Sequence, residues 1–239
     1  MSRILVYSRT TGYRHASIPA GIDALEKLGW EHGFHVEASE GMHSFRPGRL
    51  ERYAAIVFLS TSGAVLDGPG RAALRHYLKQ GGGWLGVHAA STTEYEWPWF
   101  EGLVGAWFDQ HPRIQPAVLT VEDREHPATD FLGGKWKRTD EWYAFRSNPR
   151  DRERQPAGVE NLRVLLSVDE ATYQGGTMGA DHPLSWCHEY GGGRSFYTAL
   201  GHADETYQDP EFLAHLLGAL RWLGVEFGDG EQAAGPVGR

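Results

Sequence analysis

Histidine is the residue type on which the chemistry of this chain turns, with 12 among its 239 residues. The most telling one is His88, in Gly81-Gly82-Gly83-Trp84-Leu85-Gly86-Val87-His88-Ala89-Ala90-Ser91. Gly86, Ala89 and Ala90 crowd it with small neighbours. A sharp strand-to-helix turn requires this, because the backbone there approaches itself and takes unusual dihedrals. Such a turn lifts one side chain above the carboxyl end of a parallel sheet, where open α/β sheets place their ligands. A hydrolase elbow would put Ser or Cys at that point; here it is His. His15 follows Arg14 in a polar loop, His111 precedes Pro112, and His202 follows Gly201. Glu94, Asp109, Asp140 and Glu141 lie in irregular stretches near them. A carboxylate–histidine set can act as general acid and base. It can also bind a divalent metal, since Zn²⁺ accepts both ligand types. No His-Glu-x-x-His spacing is present, so the metal is the lesser reading and the cofactor stays unknown. Each residue alone has a plainer account. A single His is more often a hydrogen-bonded structural residue, Asp140 and Glu141 read as a solvated turn, and His111 as a loop residue fixing a bend.

The elements that must position these groups alternate between strand and helix. Arg3 to Ser8 and Ala55 to Leu59 are continuous apolar strands, and Trp84 to Val87 is a third short apolar run. Phe34, Val36 and Ala38 alternate as another strand. Ser17 as cap, Pro19, and Ile18, Ile22, Leu25 and Leu28 at helical spacing predict a first helix closed by Gly29. Asp67 caps a second, which ends at Gly81. Asp209 and Pro210 start the last, with Phe212, Leu216 and Leu220 on its apolar side. Gly81-Gly82-Gly83 lies before a strand rather than after one, so it reads as a helix stop and not as a phosphate loop. The alternation predicts an α/β fold: a mostly parallel, doubly wound sheet with helices on both faces. The chain between Ser91 and Val168 predicts an added β-rich insertion, and Leu184–Tyr190 with Ser195–Leu200 a hairpin. Loops at one sheet edge form one crevice. The strand ends would bring to it Arg14 and His15, Ser60 and Thr61, His88 and Ser91, and His202.

Composition narrows the classes. A net charge of -8 argues against sequence-independent nucleic-acid binding. No apolar run approaches the ~20 residues of a membrane span. Met1-Ser2-Arg3 leads straight into the first strand, so no signal peptide is expected, and a cytoplasmic protein is the default. Cys187 is the only cysteine, which excludes an internal disulfide and a thiolate cluster. It sits in a predicted hairpin strand and reads as a buried thiol rather than a nucleophile. The aromatics around Trp97 and Trp99 suit a cleft wall or a contact between copies, so a homo-oligomer stays open.

Several stretches together carry a family resemblance: Tyr13-Arg14-His15-Ala16-Ser17-Ile18, Gly81 to His88, Gly105-Ala106-Trp107-Phe108 with His111-Pro112, Asp140-Glu141-Trp142-Tyr143, and Pro183-Leu184-Ser185-Trp186 through Gly193-Arg194 to Gly201-His202. In this order they resemble the ThuA-like (trehalose utilisation) family. The resemblance runs from Ile4 to about Val225. It implies a class I glutamine amidotransferase-like (flavodoxin-like) fold, as a single domain over 1–227 followed by a flexible tail over 228–239. The wider amidotransferase pattern has Gly-x-Cys-x-Gly at its elbow and a His-Pro-Glu run after a late strand. This chain has Gly86-Val87-His88-Ala89-Ala90 and His202-Ala203-Asp204, so covalent glutaminase chemistry has lost its nucleophile. The family name implies a small carbohydrate as ligand, trehalose, a related disaccharide or a 3-keto-sugar. His15, His88, His111 and His202 are then the candidate catalytic residues. Arg14, Ser60, Thr61, Ser91, Asp140, Glu141 and Trp142 are the candidate ligand-binding residues. A noncatalytic binding protein and a metal-dependent hydrolase are the rival readings.

Overall fold

A nine-stranded mixed sheet runs through the molecule, whose computed structural model describes residues 1–228. In chain order its strands are β1 (Arg3–Tyr7), β2 (His35–Ser39), β3 (Ala55–Leu59), β4 (Gly83–Val87), β5 (Gln115–Val121), β6 (Lys135–Asp140), β7 (Val159–Val168), β8 (Pro183–Tyr190) and β9 (Gly193–Thr198). Across the sheet the order is β2-β1-β3-β4-β9-β8-β7-β5-β6. The pairings from β2 to β9 are parallel, and those from β9 to β6 are antiparallel. The expected mostly parallel sheet is therefore half antiparallel, and the β-rich insertion is part of it. The hairpin explains why. β9 enters beside β4, so β8 presents an open edge, and β7, β5 and β6 complete the hydrogen bonding of that edge in turn.

Four helices cover the parallel half: α1 (Ile18–His32), α2 (Gly68–Lys79), α3 (Pro98–Val104) and α4 (Pro210–Trp222). Consecutive strand residues point to opposite faces. Leu59 packs under Gly21 of α1, and Phe58 packs 5.8 Å from Phe100 of α3. α1 and α3 thus lie on opposite faces; α4 contacts α1, and Arg71 and Arg75 of α2 sit over Trp97, just before α3, and Trp99 within it. Phe58 also meets Tyr7, Phe45 and Trp84. Truncating such a buried ring to Ala costs about 3–5 kcal/mol.

Helix ends follow the sequence at two of four points. The Asp67 carboxylate accepts from the Gly70 N–H at 2.8 Å, and the Asp209 carboxylate from the N–H groups of Glu211 and Phe212. Ser17 precedes α1, but its hydroxyl donates to the Gly201 carbonyl instead of capping. Gly29 does not close α1. The helix continues to His32 and ends at left-handed Gly33 (φ 67°). Gly29 serves a close approach, since a Cβ there would meet the Phe34 carbonyl oxygen at 2.7 Å. The Gly228 N–H donates to the His32 carbonyl at 3.1 Å, so position 228 is packed against the end of α1. The remainder of the expected tail, 229–239, lies outside the described residues.

Candidate metal centre

β4 is buried along its whole length and delivers His88 to the carboxyl edge of the sheet. Gly86 is required beneath it, because a Cβ would meet the Trp84 ring at 2.3 Å. His88 itself has φ 51°. Holding a non-glycine residue in the left-handed region costs of order 1 kcal/mol, and such strain clusters at functional sites. The turn that follows is one 3₁₀ turn, His88–Ser91, rather than the start of a helix. Thr92 and Thr93 pair at once with Ser62 and Gly63 in a short parallel ladder, which leaves no room for more. His88 Nδ1 lies 2.7 Å from the Ala199 carbonyl, which only accepts. The proton therefore sits on Nδ1, and Nε2 presents a lone pair.

Four groups from three segments of the chain face that lone pair. His15 Nε2 is 3.2 Å away, Tyr143 Oη 3.0 Å, His202 Nδ1 3.3 Å and Glu141 Oε2 3.5 Å. Glu141 Oε2 is also 3.0 Å from His202 Nδ1. One ligand atom from each of His15, His88, Glu141 and His202 lies within 4.8 Å of the other three. A tetrahedron of zinc–ligand bonds of ~2.0–2.1 Å has edges of ~3.3 Å, so this spacing fits a metal held by three imidazoles and one carboxylate. His111 Nδ1, 3.1 Å from Glu141 Oε1, orients the carboxylate from outside the cluster.

The electrostatics match the geometry. Burial pushes the Glu141 carboxyl up, but the hydrogen bond from His202 outweighs it and holds Glu141 well below the usual carboxylate range. Glu141 in turn raises His202. Burial, reinforced by His88 and His202, lowers His15 to about 3. A neutral imidazole is the form that binds metal. His15 Nδ1 is buried without a hydrogen-bond partner among the described residues, so only His88 has its ring fixed from behind by a carbonyl.

Of the residues singled out in the sequence, His15, His88, His111, His202 and Glu141 come together. The others lie elsewhere. Arg14 is exposed and paired with Glu40 at 2.7 Å. Ser60 is buried at φ 46°. The Thr61 hydroxyl meets Thr93 at 2.7 Å, and the Ser91 hydroxyl accepts from Tyr197 at 2.9 Å. Asp140 accepts from the N–H groups of Glu141, Gly201 and His202, which ties the turn carrying His202 to the segment carrying Glu141. Trp142 is buried, with its N–H donating to the Gln115 carbonyl. Sequence reasoning passed over Tyr143 as a site residue. The signal was the alternation of extended chain: Glu141 and Tyr143 line a cavity of about 550 Å³, while Asp140 and Trp142 do not. Tyr13, Tyr95 and Phe108 give that cavity an aromatic wall.

A family model described as "ThuA: Trehalose utilisation" matches residues 3–223. The chain belongs to the ThuA family. No curated protein matches the sequence. Among solved structures, a ThuA-like protein from Bacteroides uniformis is 24% identical, with a TM-score of 0.75 over 96% of this chain and 94% of that one. A ThuA-like protein from Parabacteroides merdae is 21% identical, with the same TM-score over 95% and 91%. A β-galactosidase from Bacillus circulans is 12% identical, with a TM-score of 0.59 over 94% of this chain but 31% of its own. At these identities the likenesses establish the ThuA chain's fold. No helix among its described residues is long and apolar enough to cross a membrane.

Proposed function

We propose that this ThuA chain is a carbohydrate-active enzyme whose centre holds a divalent metal on His15, His88, Glu141 and His202. The observation that carries the reading is the convergence of three imidazole nitrogens and one carboxylate oxygen at the cavity. A cavity of about 550 Å³ suits a small-molecule ligand. Its tyrosine and phenylalanine rings offer faces to the C–H groups of a sugar, and the family description supports trehalose, a related disaccharide or a 3-keto-sugar. Zn²⁺ is the metal that the donor set favours. Once bound, it would polarise a carbonyl or lower the pKa of water.

The chain's own residues do the rest. Glu141 stays ionised and buried at the floor. His111 is partly exposed and stacks on Tyr143; its Nδ1 lies 2.9 Å from the Pro112 carbonyl and 3.1 Å from Glu141, which leaves its other nitrogen to exchange a proton with a ligand in the cavity. For a keto-sugar this supports removal of the proton next to the carbonyl. Glutaminase chemistry has no support: the elbow residue is His88, and burial pushes the Cys187 thiol up to about 12 within β8. The strand order β2-β1-β3-β4-β9 supports the flavodoxin-like, amidotransferase-like reading of the fold.

The test is metal analysis of protein purified without a His tag, with melting curves in Zn²⁺, Mn²⁺, trehalose and 3-keto-trehalose. A ligand at 100 times its Kd stabilises by ~2.7 kcal/mol, which a melting curve resolves. The expected result is bound metal or a rise in Tm with Zn²⁺, abolished in His88→Ala, and a further rise with a sugar. A protein that takes up no metal and responds to no sugar would end this reading.

A further inference from the structure

Tyr143 is the one group at the cluster that is not an imidazole or a carboxylate. Its Oη is the nearest of the four groups around His88 Nε2, at 3.0 Å. That nitrogen is an acceptor, because His88 Nδ1 holds the proton against Ala199. The phenol therefore donates, and His88 Nε2 is its only hydrogen-bond partner among the described residues. The ring has little freedom: it lies 4.3 Å from Phe108, 4.4 Å from His88 and 5.8 Å from His111. Its backbone carbonyl accepts from His182 Nε2 at 2.8 Å. Yet it also lines the cavity. The hydroxyl is thus fixed beside the ligand space, and its proton points at a lone pair that a metal would need.

Resting on the metal reading above, we infer that Tyr143 is a neutral hydrogen-bond donor reserved by His88 and released when a metal takes His88 Nε2. One lone pair cannot serve both a phenol proton and a metal. Binding breaks the Tyr143–His88 hydrogen bond and forms the His88–metal bond; the proton stays on Tyr143 and no charge moves. The freed O–H then faces the cavity, where a carbonyl or hydroxyl oxygen of the ligand accepts it. Metal and oxygen ligand are coupled through this one group: the first must bind for the second to find its donor.

The alternative is that Tyr143 is itself a ligand, bound as phenolate with loss of its proton. Zinc titration calorimetry of wild type and Tyr143→Phe, in two buffers of different ionisation enthalpy, separates the two. The substitution keeps the packed ring. If Tyr143 is a displaced donor, Tyr143→Phe binds Zn²⁺ as tightly as wild type or up to about tenfold tighter, since a competing hydrogen bond is gone. Both proteins then release the same number of protons. A tenfold loss of zinc affinity in Tyr143→Phe, or one proton fewer released, overturns the inference and makes Tyr143 a ligand. A wild type that binds no zinc overturns it together with the metal reading, and is told apart by that absence.

Discussion

The molecule carries two sets of buried or half-buried histidines, and they differ in what their ring nitrogens face. Away from the cluster, His188 Nε2 bonds the Gly102 carbonyl at 2.8 Å, His215 Nδ1 the Ala128 carbonyl at 2.8 Å, and His182 lies between Glu170 and the Tyr143 carbonyl. Each of these rings joins one piece of backbone to another. At the carboxyl edge of the parallel half, His15, His88 and His202 turn nitrogens toward one another and toward Glu141. Only His88 has its second nitrogen tied to a carbonyl. Burial alone therefore says little about a histidine's role. The direction of its nitrogens separates a ring that joins backbone from one that faces the cluster.

The comparison breaks most readily at His88. Replacing it with Ala should weaken Zn²⁺ by more than the ~10–100-fold typical of residues behind a ligand. His215→Ala should leave zinc affinity unchanged. Calorimetry on both decides it; equal zinc affinity in wild type and His88→Ala would erase the distinction between the two sets.

Stability should divide the sets the other way. His215→Ala opens a cavity against Phe196 and Phe212 and strips the Ala128 carbonyl of its donor. A loss of about 2–5 kcal/mol in urea unfolding of the metal-free protein follows. His111→Ala sits at the partly exposed mouth and should cost little stability, with about tenfold in zinc affinity through the loss of its contact to Glu141.

Local features of the fold were legible in the chain, and long-range ones were not. The parallel strands, the two aspartate caps and the hairpin were legible, because apolar runs and Asp-x-x-Gly or Asp-Pro signals act locally. The crevice histidines were legible as strand-end residues. Their convergence was not, because Glu141 arrives from the antiparallel extension, and no spacing rule links it to His15 or His88. Arg14 shows the opposite failure. It neighbours His15, but Glu40 draws it outward. Asp140 and Trp142 were adjacent to the cavity-lining positions Glu141 and Tyr143 and half a strand period out of phase with them.

Acidification sharpens the contrast by a smaller amount. Burial lowers His188 and His215 to about 4. Unfolded, each titrates near 6.5. Above pH 6.5 neither state binds the proton, and the full stability is present. Below it the unfolded chain takes up protons that the folded one refuses, so stability falls as pH drops from 6.5 toward 4, by about 1 kcal/mol per pH unit for each group. His202 has the opposite sign: Glu141 raises it, so its contribution is full below 6.5 and is lost as pH rises through its raised value. Urea midpoints of metal-free wild type and His215→Gln between pH 5 and 7 should show a shallower acid slope in the variant. Equal slopes would mean that His215 takes up its proton as readily in the fold as in the unfolded chain, and burial would not set this ring apart.

The smallest expected effect concerns Arg14, and it tests the boundary of the site. Its side chain is about half exposed, and its partner Glu40 is equally so. An exposed pair of this kind contributes about 0–1 kcal/mol, screened further by salt. Arg14→Ala should therefore leave stability within that range and zinc affinity unchanged, even though its neighbour His15 is a ligand in this reading. The reason is directional: successive residues of that loop point to different sides, His15 into the cluster and Arg14 toward β2's end. A tenfold change in zinc affinity on Arg14→Ala would show that the loop between β1 and α1 is held by the Arg14–Glu40 pair. The site would then extend to the outer edge of the parallel sheet, where nothing else in the comparison places it.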